Sequence, residues 1–151
     1  MTRLVVAALA VLALLAARAH AGACSLSSVV GVSFGTYNVF DSAPVSSAGS
    51  LTYVCTGVQA SDRVTIELSD ASDAPAPRTL RAGAHTLRYQ LFLDAARTIL
   101  WGTGAGGTST YGPVAPLEAT PTLVPIYGLL PAHQDAPAGS YHDTVVVTLV
   151  L

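Results

Sequence analysis

Apolar and polar residues alternate along several stretches of this chain with a period of two, the mark of a β-strand with one buried face. The clearest case is the last, residues 139–151. Its odd positions are almost wholly apolar, with Tyr141, Val145, Val147, Leu149 and Leu151, while its even ones mix His142, Thr144 and Thr148 with Val146 and Val150. Residues 63–69 alternate in the same way through Val64, Ile66 and Leu68, and residues 87–94 through Leu87, Tyr89, Leu91 and Leu93. Residues 51–55 form a further short strand, residues 24–35 a strand broken at Gly31, and residues 98–101 a short strand after a turn. Residues 120–130 are apolar but contain Pro121 and Pro125. Proline cannot donate to a ladder, so an edge strand or a bulge is predicted there. Residues 36–50, 70–77, 102–112 and 131–139 have the Gly, Pro, Ser and Asp content of loops.

The only helix-like stretch is the Ala- and Leu-rich start of the chain. Short strands closely punctuated by turn signals predict an all-β fold, an antiparallel β-sandwich. The final strand ends the sequence with an apolar edge and nothing after it to cover that edge. Natural proteins usually protect such edges from unwanted pairing.

Arg3 followed by the apolar run 4–17 reads as a secretory signal, with small-residue cleavage sites near Ala21 or Ala23. The expected organisation is therefore a signal peptide over 1–23 and one domain over 24–151. The run is too short to span a bilayer. Acylation of Cys24 is disfavoured, because Ala21 stands where such signals usually carry leucine and because Arg18 and His20 interrupt the approach. Without Arg3 and Arg18, five arginines and no lysine face nine acids, a net charge of −4. That balance gives no basis for a nucleic-acid or anionic-membrane partner. Cys24 and Cys55 are the only cysteines, so an exported chain is expected to join them.

No constellation of reactive side chains emerges. Residues 102–107 match G-x-G-x-x-G, but Thr108, Ser109, Thr110, Tyr111, Gly112 and Pro113 follow, which will not open the helix a dinucleotide site requires. His85, His133 and His142 lack partners at metal-ligand spacing, and periodicity puts Glu67 outside, away from any partnership with Glu118. Arg78 and Arg81 read as surface charges paired with Asp70 or Asp73. Tyr89, Phe92, Trp101, Tyr111, Tyr127 and Tyr141 could form a sugar platform, but such residues more often pack a core. Neither catalysis nor a cofactor or metal is expected.

Five pieces in order resemble the spore coat protein U domain family, the subunit domain of archaic chaperone–usher pili. They are Cys24 with residues 32–37 (VSFGTY), residues 49–55 (GSLTYVC), and Arg78-Thr79-Leu80 leading to residues 87–94 (LRYQLFLD). The fourth is residues 124–131 (VPIYGLLP) and the last residues 139–149 (GSYHDTVVVTL), where Gly-x-Tyr-x-Asp-Thr-Val is the most telling. The resemblance implies an immunoglobulin-like sandwich lacking its seventh strand, with a Cys24–Cys55 disulfide. A groove beside the last strand is then filled by β-strand addition. A periplasmic chaperone lends the strand first, and a neighbouring pilin subunit replaces it after delivery through an outer-membrane usher. The accepting positions are Tyr141, Val145, Val147, Leu149 and Leu151, with the Leu151 carboxylate held by basic residues of the chaperone. The destination is the cell surface or a fimbrium, reached through the periplasm.

One departure stands out. Pilin subunits of this kind carry a donor segment before the first cysteine, whereas only Gly22 and Ala23 separate the predicted signal from Cys24. A fibre tip, or an assembly that is not a polymer, is the expectation. The alternatives are a spore-coat or cell-surface matrix protein, and a self-contained periplasmic binding module.

Overall fold

The alternating stretches become strands whose apolar positions turn inward, in a computed structural model that describes residues 21–70 and 77–151. Residues 1–20 of the predicted signal and residues 71–76 of the predicted 70–77 loop lie outside the described residues. The strands are β1 (Ala23–Val30), β2 (Val45–Thr56), β3 (Val64–Asp70), β4 (Arg78–Ala82), β5 (His85–Phe92), β6 (Tyr111–Val114), β7 (Thr122–Leu130) and β8 (Val145–Val150). One sheet runs β1-β2-β7-β5-β4 and the other β6-β3-β8, and their strand pairings are antiparallel. The fold is an immunoglobulin-like antiparallel β-sandwich.

Between the sheets lie Leu51 and Tyr53 of β2, Val64, Ile66 and Leu68 of β3, Leu87 and Leu91 of β5, and Val124, Ile126 and Leu130 of β7, all buried. Each such side chain contributes about 1.5–3 kcal/mol by leaving water. Trp101 is buried among them, and its indole N–H donates to the Ile66 carbonyl at 3.0 Å, so its one polar atom is satisfied. Cys24 and Cys55 face each other across β1 and β2 and form the disulfide, with Cα atoms 4.0 Å apart.

The break at Gly31 stands, since β1 ends at Val30. Four other readings need correction. Strand β2 starts at Val45, inside the predicted 36–50 loop. Its Ser- and Ala-rich first half looks like a loop by composition, yet it pairs with β7 from Val45 opposite Leu130 onward. Strand β7 is central rather than an edge. Its Pro125 is tolerated because β5 reaches β7 only at Tyr127, Gly128 and Leu129, which leaves Pro125 a single neighbour, Ser50 of β2. Residues 98–101 form no strand; Leu100 and Trp101 make only isolated bridges, to Phe92 and Ser109. Arg78 is not a surface charge, because it is only 6 % exposed and its Nη2 donates to the Leu68 and Trp101 carbonyls at 2.8 and 3.4 Å.

Candidate functional site

Strand β8 is hydrogen-bonded on one side only, to β3, with Ile66 opposite Leu149 and Leu68 opposite Val147. Among the described residues no strand pairs with its other edge. Val145, Val147 and Leu149 point at the core but are only half-buried, because among the described residues no strand is paired to that edge to cover them. Val146 and Val150 face away, 46 % and 49 % exposed. Beside that free edge a groove of about 1140 Å³ opens onto the floor of the sandwich, where Leu68, Leu87, Leu91, Ile126 and Leu130 are reached.

One wall is the segment that follows β1. Beyond Gly31, Val32 and Phe34 continue the in–out alternation and are half-buried against the core. Gly128 of β7 makes room for them, since a Cβ there would meet Val32 Cγ1 at 2.6 Å and the Phe34 ring at 2.9 Å. Phe34 stands edge-on to Tyr89, ring centroids 5.8 Å apart at 70°. This strap, residues 31–39, is tied down at intervals. The Ser47 hydroxyl donates to the Ser33 carbonyl. The Tyr37 hydroxyl donates to the Pro131 carbonyl at 3.0 Å and accepts from the Gln134 N–H at 2.9 Å. The Gln134 side chain accepts from Arg88 N–H at 2.6 Å and donates to Arg88 C=O at 2.8 Å. One side-chain amide thus stands in for a peptide unit next to β5, where β7 does not reach.

The opposite wall is the crossing from β7 to β8. His142 pairs with Arg81 on the outer edge of β4 through two backbone bonds, of 2.8 and 3.1 Å. The Tyr89 hydroxyl donates to Asp143 Oδ2 at 2.8 Å, and Asp143 Oδ1 accepts from the Thr144 N–H at 2.8 Å just before β8 begins. Burial and then the bond to Asp143 push the Tyr89 phenol well above its ordinary pKa, so it remains a donor at neutral pH.

Of the residues singled out from sequence, Val145 and Val147 line the groove from β8, and Tyr141 lines it from the crossing. Tyr141 is not part of the strand, and its hydroxyl is bound to the Pro137 carbonyl at 2.9 Å. Leu149 continues the inward face of β8 outside the groove walls; Leu151 lies just past the strand, 40 % exposed, its side chain next to Gly22. Alternation alone could not show the strap, Tyr89, Asp143 or Gln134 as parts of the site. These pairs are joined across long sequence separations, and nothing local signals them.

The other candidates have structural roles. Residues 102–107 form a turn in which Gly102 N–H bonds Ser109 and Thr108 N–H bonds Ala105. Glu118 receives the Gly57 and Val58 N–H groups, each at 3.0 Å. Tyr89, Phe92 and Trp101 are buried, and Tyr111 is wedged between Tyr53 and Trp101. Its phenol is pushed up to about 12 by burial, then by its bond with Tyr53. Tyr127 and Tyr141, the other two of that set, are half-buried, Tyr141 on the groove wall. Among the described residues no group of three metal-capable side chains converges, and no helix is long and apolar enough to cross a membrane.

The chain matches the Spore Coat Protein U domain over residues 10–148. It is 37 % identical over 145 residues to Protein U of Myxococcus xanthus, covering 85 % of this chain and 77 % of that protein. Its fold resembles a structure described as the CsuC–CsuE chaperone–tip adhesion subunit pre-assembly complex from archaic chaperone–usher Csu pili of Acinetobacter baumannii. There the TM-score is 0.51 at 19 % identity, over 87 % of this chain and 40 % of the matched one. At that identity the likeness concerns the fold. Family membership sets the chain among structural proteins rather than enzymes. On the match over residues 10–148, which takes in β1 to β7 whole and β8 as far as Thr148, the chain belongs to the spore coat protein U domain family.

Proposed function

We propose that this protein is a structural or adhesive subunit of a chaperone–usher surface fibre, completed by a strand from another polypeptide. The observation that carries the reading is the free edge of β8 above an apolar groove: one ladder position of the sandwich has no occupant among the described residues. An extended segment laid there gains backbone hydrogen bonds from β8 and buries alternate side chains against Val145 and Val147. The donors in this reading are a periplasmic chaperone first and a neighbouring subunit later, with an outer-membrane usher between them. The matched chaperone–subunit complex supports the chaperone. The route runs through the periplasm to the cell surface, led by the predicted signal peptide.

The test is periplasmic expression of the whole chain, alone and with a synthetic peptide of alternating valine and threonine flanked by lysines. Expressed alone it is expected to self-associate or be degraded, and with the peptide to purify as a monomer. A stable, cooperative monomer that binds no peptide overturns the reading.

A tip position belongs to the same proposal. Mass spectrometry of the exported chain is expected to find Gly22 or Cys24 at the N-terminus, and a start well before Ala21 overturns the tip assignment while leaving the acceptor groove intact. A coat or surface-matrix role using the same strand exchange is the second reading. It is favoured by the family match and by the likeness to Protein U.

A further inference from the structure

An apolar groove with no occupant tends to close, because its walls gain by meeting one another. Both walls here are fastened to the large sheet. The strap is held through Tyr37 and Gln134, and the crossing through His142 and Asp143. The Tyr89–Asp143 bond is the unusual one. Its donor is a hydroxyl at the groove floor, on a residue only 4 % exposed, and its acceptor is the carboxylate of an exposed residue on the rim. It joins residues 54 apart in sequence and fixes the chain two residues before β8 begins. The second carboxylate oxygen holds the Thr144 N–H, so one side chain orients both the rim and the entry to the strand. The buried Arg78 guanidinium and Asp143 both act electrostatically on Tyr89, which places a cation near this bond.

We propose that Asp143, acting through Tyr89, is a positioning residue of the groove: it holds the β8 rim away from the strap, so that the groove stands open before a strand arrives. The inference rests on the strand-accepting reading above and adds which residues prepare the site. Without the bond the rim is free to fold over the floor, and an entering strand must wait for it to reopen. An unpaired phenol also remains in the apolar floor.

The experiment measures association and dissociation rates of the lysine-flanked valine–threonine peptide with the whole chain and with Tyr89→Phe, Asp143→Ala and the double variant. Tyr89→Phe keeps the ring in the floor and removes only the hydroxyl. The expected result is an association rate lowered about tenfold, the factor expected when the open state falls to about a tenth of molecules. Dissociation is expected to change little, and the double variant to be no slower than either single one, because all three remove the same bond. Unchanged association rates, additive losses, or an effect confined to dissociation overturn the proposal.

A second measurement needs no variant. Hydrogen exchange at the His142 and Arg81 amides in the unaltered chain is expected to be slow before peptide is added. Fast exchange that slows only on binding overturns a rim set in advance. If the unaltered chain binds no peptide, the groove reading itself fails; if it binds and the variants associate as fast, only the positioning role does.

Discussion

Aspartate at Val147 is expected to abolish strand acceptance. Val147 lines the groove and points at the core from the free edge, opposite Leu68 of β3. Once a strand covers it, a carboxylate there would be enclosed among the apolar residues Leu68, Leu87 and Leu91 of the groove lining. Burying an uncompensated charge costs several kcal/mol, which corresponds to at least about a hundredfold in affinity. The neighbouring change Val146→Asp is the control. Val146 faces solvent, so peptide affinity is expected to stay within about twofold. Titration of the lysine-flanked peptide against both variants reads the difference. Equal losses at the two positions would refute the assignment of inward and outward faces on β8.

Serine at both Cys24 and Cys55 is the second large effect. The bridge spans 31 residues and ties β1 to β2 at an edge of the five-stranded sheet. A loop of that length contributes roughly 3–4 kcal/mol by restricting the unfolded chain. A domain with one ladder position vacant has little stability in reserve, so the double variant is expected to unfold without peptide. With peptide present, denaturant titration is expected to show it less stable by that amount. A loss below about 1 kcal/mol would mean that β1 is held by its ladder alone.

Much of this architecture was legible in the alternation of side chains. The inward positions of β3, β5 and β8 follow it: Val64, Ile66 and Leu68 are buried, as are Leu87, Tyr89 and Leu91, and Val145, Val147 and Leu149 turn to the same interior. The pattern blurred where backbone rather than side chains sets the structure. The first half of β2 is Ser, Ala and Gly because the chain after β1 passes close by, and a Cβ at Gly49 would strike the Val30 carbonyl. Pro125 suggested an edge because sequence cannot show that β5 stops short of it. Phe92 lies off the alternating set of β5 and is still buried, 7 % exposed, with Leu100 paired beside it. Arg78 misled in a similar way: a cation in a polar stretch reads as solvated, and its local sequence does not show that the distant Trp101 carbonyl joins that of Leu68 to receive its Nη2. The inward face of the last strand was legible from alternation and the open groove beside it from the family resemblance; the fastenings of its two walls were legible from neither, because they join residues far apart in the chain.

The Cys24–Cys55 bridge and the strap lie at opposite ends of β1, and Gly31 sits between them with nothing within 4 Å of where a side chain would begin. The sulfur bond forbids β1 to slide along its neighbour. The strap therefore leaves a strand whose register is locked, and the glycine at its root lets it depart with no side chain to clash while the wall of the sandwich stays where it is.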